Sequence, residues 1–304
     1  MITKKTVLVL GAGASGPYGF RTGAGLRNWA VTQIQNAPAS PLIKVLSDLG
    51  YEERHRNDFA GELRHAGTAS IDLFLESRDE FMPIGKSVIA CGLIEHEVAA
   101  NLFVFPEDGL PGSWYWYLIQ RLGDKPDQFR KNQLSIVTFN YDRSLEYYLF
   151  TALKSRWKLS DEAAWELLKV IPIVHVYGQL GKLHELEGRG RPYRPDLSPE
   201  SINAAVGEMQ ILHEADLNSS ALAQARKLLL EAHEICFLGF GYHPTNLERL
   251  EVKNLGSRHV IGTAYKLEFG ETHAAREAFG SVSIDLVGAQ QDVLLLLRST
   301  PILA

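Results

Sequence analysis

The chain has only two cysteines among 304 residues, Cys91 and Cys236. They lie far apart, each among apolar neighbours, so neither a disulfide framework nor a four-cysteine zinc site can be assembled from them. Both read as reduced core thiols, and no metal is expected. No apolar run approaches the ~18 residues of a membrane span. Lys4 and Lys5 lead straight into a strand-like run where a secretory leader would carry its apolar stretch. The expectation is a cytoplasmic protein away from membranes, in which the sequon Asn218-Ser219-Ser220 goes unused. An excess of basic residues is lacking too: the net charge of −5 argues against a general affinity for nucleic acid. One local basic stretch, Arg189, Arg191 and Arg194, sits among glycines and prolines. It reads as a solvated loop, with a phosphate-facing lid as the alternative.

What is present is ordinary globular material, 45% hydrophobic and 22% charged, enough to bury a core without staples. Six short apolar, β-branched runs read as strands: Lys5–Leu10, Leu134–Phe139, Val170–Tyr177, Ile235–Phe240, His259–Thr263 and Val282–Val287. Their length and weak alternation predict strands covered on both faces, hence an α/β fold with a doubly wound, mostly parallel sheet. More than a hundred residues separate the first two runs. Helical spacing at Ser40–Leu49, Ile71–Phe81, Ser87–Phe103 and Ser113–Leu122 predicts an inserted helical subdomain over 36–130. The core would then comprise 1–35, 131–180 and 221–304, and 181–220 would be a loop or small insert. Trp114-Tyr115-Trp116-Tyr117 suggests a stacking platform, but consecutive helical residues face different ways, so a helix wedged in the core is the better expectation.

After the first strand comes Gly11-Ala12-Gly13-Ala14-Ser15-Gly16, the G-x-G-x-x-G spacing in the strand-to-helix context that lets backbone approach a pyrophosphate. An ordinary dehydrogenase places an acid about 20 residues on to hold a ribose hydroxyl. From Gly16 to Ser47 there is no Asp or Glu, and a second glycine-rich segment, Tyr18-Gly19-Phe20-Arg21-Thr22-Gly23, follows instead. The nucleotide must be held differently. In open parallel sheets ligands sit beyond the carboxyl ends of the strands. There this chain has Asn140-Tyr141-Asp142, His175-Val176-Tyr177-Gly178, Gly239-Phe240-Gly241 and Gly262-Thr263. Singly these have plain readings: Asn140 or Asp142 as a helix cap, His175 as a core histidine. Together they predict a ligand crevice. Asn246 either caps a helix or meets ribose.

Gly11-Ala12-Gly13-Ala14-Ser15, Thr138-Phe139-Asn140-Tyr141-Asp142, His175 to Gly178 and Gly239-Phe240-Gly241 resemble, in this order, the sirtuins, with their Gly-Ala-Gly-x-Ser, Thr-Gln-Asn-Ile-Asp and catalytic His-Gly. The chain departs from them in lacking a zinc ribbon and in having Gly19 where deacylating sirtuins carry an acid before Phe-Arg. In this it is similar to bacterial sirtuin-like proteins of antiphage defence that hydrolyse NAD. The resemblance implies NAD as substrate, Asn140 and His175 as catalytic residues, and cofactor contacts from Gly11, Ala12, Gly13, Ser15, Gly16, Arg21, Thr22, Asp142, Gly239, Phe240, Gly241 and Asn246. It also implies restraint by homo-oligomerisation or by a companion protein such as an ATPase. Competing expectations are an NAD-dependent deacylase or ADP-ribosyltransferase, and a non-catalytic NAD- or nucleotide-sensing module.

Overall fold

In the computed structural model, the structure describes residues 1–104, 113–183, 190–211, 219–288 and 291–304. Six strands form one sheet: β1 (Thr6–Leu10), β2 (Leu134–Thr138), β3 (Ile173–His175), β4 (Glu234–Leu238), β5 (His259–Thr263) and β6 (Ile284–Val287). All pair in parallel, in the order β3-β2-β1-β4-β5-β6. This is the doubly wound Rossmann-like arrangement, in which the strand order reverses across β1 and a crevice opens at the carboxyl ends. The β1 side chains are buried along the whole strand, as expected of a strand covered on both faces.

The third run yields a much shorter strand than its apolar length suggests. The helix Asp161–Leu168 carries on into a turn, with Val170 N donating to Leu167 O, and Pro172 has no N–H for a ladder, so pairing starts at Ile173.

Between β1 and β2 the described chain is helical: α1 (Ala12–Ser15), α2 (Gly23–Asn36), α3 (Pro41–Asp48), α4 (Glu53–His65), α5 (Ile71–Leu75), α6 (Met82–Ile94), α7 (Trp114–Arg121) and α8 (Pro126–Phe129). Serine hydroxyls start several of them. Ser40, Ser70 and Ser113 accept from the backbone N–H groups of Ile43, Leu73 and Trp116, satisfying donors that a helix start leaves unpaired. The polar α4 was not evident from sequence because only a narrow stripe, Phe59, Ala60 and Leu63, is buried. The expected Ile71–Phe81 helix breaks after Leu75, and α6 begins earlier and ends earlier than the Ser87–Phe103 pattern. The buried side chains of these helices join one continuous apolar cluster with those of the sheet, so the segment is not marked off by a core of its own.

Trp114 and Tyr115 are buried as core residues. The Trp114 Nε1 donates to Ala14 O at 2.7 Å, and Tyr115 stacks on Tyr18 with ring centroids 3.9 Å apart. Helix α7 thereby braces the glycine turn. Among the described residues, no helix is long and apolar enough to cross a membrane.

Candidate functional site

The glycine turn and the end of β4 interlock. Gly11 N donates to Leu238 O at 3.0 Å and Gly13 N to Gly239 O at 2.9 Å. A Cβ on Gly239 would lie 2.0 Å from Ala14 N, and one on Gly11 2.6 Å from Gly239 O. Gly239 also has φ +57°, so glycine there serves both conformation and close approach. The polar end of β5 completes the brace, with Thr263 Oγ1 accepting from Gly239 N at 2.8 Å. Gly239 and Gly13 thus build the turn.

Beyond this turn lies a cleft of about 360 Å³, within the size range of small-molecule sites. Gly11, Ala12 and Asn140 bound it on one side, Phe240, Gly241 and Asn246 on another, and Thr22 with the start of α2 on a third. Phe139, Tyr177 and Phe240 form an aromatic wall, Phe139 meeting the other two edge-on at 5.4 and 5.1 Å. A smaller cavity of about 90 Å³ shares Ala12, Asp72, Phe139, Asn140 and Tyr141 with the cleft and adds Ser15, Arg21 and Asp142.

Asn140 has a defined orientation. Its Nδ2 donates to Gly11 O and to Ser15 Oγ, both at 3.0 Å, which uses the two amide hydrogens and leaves Oδ1 as an acceptor with no partner among the described residues. Ser15 Oγ in turn donates to Asp142 Oδ2 at 2.7 Å. The other Asp142 oxygen accepts from Ser144 N at 3.2 Å and from the Ser144 hydroxyl, which sits 2.6 Å from Tyr115 Oη. Asp142 is therefore an internal strut that ties Ser144, the first residue of the helix Ser144–Trp157, to the turn. Burial raises its pKa against the opposing hydrogen bonds from Ser144 and Ser15.

His175 is placed otherwise than expected. Its Nδ1 is 3.0 Å from the backbone oxygen of Asn140, and its Nε2 meets a Glu146 carboxylate oxygen. Both partners are acceptors, so both ring nitrogens carry protons and neither keeps a lone pair for base catalysis. Burial alone would depress its pKa, but the Glu146 charge and the hydrogen bonds that the ring donates to Glu146 and to Asn140 O outweigh it, and the net direction is upward. With Glu146, His175 lines a different cavity, of about 410 Å³, behind β3. The side chain that reaches the cleft from this strand end is Tyr177. Its hydroxyl donates to Asn246 Oδ1 at 2.7 Å. Asn246 is thus cleft-facing and not a cap, since the helix Pro244–Arg249 starts from His243.

The remaining expected contacts divide. Thr22 caps α2, its Oγ1 accepting from Gly25 N at 3.3 Å, while Gly16 continues into a 3₁₀ turn at Gly16–Tyr18. Arg21 turns toward the end of α6, donating to Gly92 O at 2.9 Å, pairing with Glu95 and lying over the Trp29 ring. The basic stretch is not solvated throughout. Arg191 is buried with Arg143 against Glu97, Arg194 pairs with Asp196 at 3.0 Å, and Arg189 and Asn218 lie outside the described residues.

Comparison with known protein families and with characterised proteins returns no match.

Asp72, on α5, is the carboxyl group of the cleft that sequence reading passed over. It borders both cavities, and burial raises its pKa above the usual carboxylate value against the hydrogen bond from Tyr141. Ser70, which starts α5, packs so closely on Gly23 that a Cβ there would lie 2.9 Å from the Ser70 Cβ, and this contact delivers Asp72 to the cleft.

Proposed function

We propose that this cleft binds NAD and hydrolyses its nicotinamide–ribose bond, giving nicotinamide and ADP-ribose, as an NAD-depleting effector of antiphage defence. The observation that carries the reading is the Asn140 amide. Clamped through its hydrogens to Gly11 O and Ser15 Oγ, it offers Oδ1 beside a glycine turn of the kind that accepts pyrophosphate. A carboxamide oxygen held this way accepts from a ribose hydroxyl or an attacking water and fixes its position. Such pre-orientation supplies much of the rate when the leaving group already carries positive charge. The aromatic wall of Phe139, Tyr177 and Phe240 suits a flat ring and limits water. His175 acts through Asn140, whose carbonyl it holds, and is a positioning residue.

The test is nicotinamide release from NAD by the purified protein, followed by chromatography. Asn140→Ala is expected to lower it by about 10²-fold or more, the scale of a lost transition-state positioning group. Loss of less than twofold would refute the assignment. A second reading, a non-catalytic NAD sensor, is favoured by the absence of an available imidazole base at His175. Saturable NAD binding by calorimetry, with no nicotinamide released by the wild-type protein, would select it. Restraint of the hydrolase by self-assembly or a companion ATPase belongs to the same proposal.

A further inference from the structure

We propose that Asp72 takes the proton of the attacking water when the cleft hydrolyses NAD. This rests on the hydrolase reading above and supplies the base that His175 does not. Three features of the geometry support it. Asp72 borders both the cleft and the adjoining small cavity, as Asn140 does, so a water held by Asn140 Oδ1 lies in space that Asp72 also faces. Its Oδ1 lies 2.7 Å from the Tyr141 hydroxyl, which holds the carboxyl at the edge of the cleft. Finally, that hydroxyl is also 3.0 Å from Gln210 O.

The third feature sets the resting protonation. A phenol has one hydrogen, and here it stands between two acceptors, of which the carbonyl can never donate. Tyr141 is placed to donate to Asp72 Oδ1 and to Gln210 O alike, and both contacts are filled at once only when Asp72 bears a proton and the phenol gives its own to Gln210 O. Burial of the carboxyl favours the same state. A pyridinium ring entering the cleft brings an opposite charge, which favours the carboxylate, so NAD binding expels the resting proton. In the reaction the C1′–N bond breaks with its electron pair going to the nicotinamide nitrogen. The water oxygen bonds to C1′, and the surplus water proton passes to the Asp72 carboxylate. Oxidation states do not change.

The ionisable groups that share Asp72's cavities are Tyr141 after β2, Tyr177 after β3, His243 across the cleft, and Arg21 and Asp142 at the small cavity. Burial pushes the Tyr177 phenol up to about 12, outside the assay range. To silence the imidazole, every protein in the comparison carries His243→Gln.

The experiment uses two readouts. Binding of a carbocyclic NAD analogue, whose ring–sugar bond cannot be hydrolysed, is measured by calorimetry in buffers of differing ionisation enthalpy. Proton release is expected with Asp72 present and none with Asp72→Asn, the affinity staying within about tenfold, one decade of binding free energy. In parallel, kcat/KM for NAD hydrolysis is followed against pH. With Asp72 it rises as pH increases through the raised carboxyl pKa. Asp72→Asn abolishes that limb and lowers the plateau by about 10²–10⁴-fold, the usual range for a lost general base. Asp72→Glu keeps the limb. Equal rates and an unchanged limb in Asp72→Asn would overturn the proposal and leave the hydrolase reading standing. Loss of analogue binding along with activity would also overturn it, making Asp72 a binding group. No nicotinamide release by wild-type protein at any pH would overturn both.

Discussion

Gly239→Ala puts a methyl carbon 2.0 Å from Ala14 N, 2.3 Å from the Gly13 carbonyl carbon and 2.7 Å from Gly13 Cα. All three are backbone atoms of the glycine turn, held by the Gly11–Leu238 and Gly13–Gly239 hydrogen bonds, so no side chain can swing aside to make room. The residue also sits at φ +57°, where an L side chain costs about 1–2 kcal/mol. Forcing extra atoms into packed surroundings adds about 1–3 kcal/mol, and the sum is roughly 2–5 kcal/mol, a large share of a typical domain's ~5–15 kcal/mol. Gly241, two residues on, is the internal control. A Cβ there meets nothing within 4 Å, and its backbone is not left-handed, so Gly241→Ala is expected to change stability by no more than about 0.5 kcal/mol. Urea unfolding followed by tryptophan fluorescence measures both, with the slope checked for constancy so that the midpoint shift reports stability. The Gly239 variant should also bind NAD more weakly, because the turn must open to admit the methyl group. Indistinguishable midpoints for the two alanine variants would show that the close approach does not constrain the turn.

Two further outcomes test the site's supports. His175 has a raised folded-state pKa, so its contribution to stability is complete below its unfolded value near 6.5 and is lost as pH rises through the folded value. Unfolding free energy measured from pH 6 upward should fall over that window in the wild type. The fall should be absent in His175→Asn, and parallel curves would refute the imidazolium assignment. Glu97→Ala leaves Arg143 and Arg191 buried without their carboxylate and is expected to cost about 3–5 kcal/mol by chemical denaturation; a cost under 1 kcal/mol would mean that water or another acceptor replaces it.

The strands and the turn were legible because their signals are local. A strand covered on both faces is written as a short apolar run, and the glycine spacing sits at a fixed offset from the first of them. Asn140 stood out for the same reason, two residues past a strand end. The failures are equally physical. His175 and Tyr177 lie on one strand end two residues apart, and composition favours the imidazole as the reactive group. Their placement is decided by tertiary partners, the Asn140 carbonyl and Glu146 for one and Asn246 for the other. The usable signal was position: the residue before the left-handed Gly178, φ +74°, is the one that reaches the cleft. Asp72 carried no local mark at all. It sits in a short amphipathic helix whose apolar residues announce packing, and only the Gly23–Ser70 contact reveals where the helix is delivered. Arg191 read as a solvated loop because its buried counter-charge, Glu97, is remote in the chain.

The relay of polar groups from Tyr115 through Ser144, Asp142 and Ser15 to Asn140 has a consequence for how the protein can be altered or lost. Its two ends are anchored in different kinds of structure, one on a packed aromatic helix and the other on the half-buried Asn140 amide at the cleft, and the links between them are buried. Competence to hold a ligand is then a property of the assembled molecule rather than of a transplantable loop. Carrying the glycine turn alone to another scaffold would move the sequence and leave behind the alignment that makes it useful.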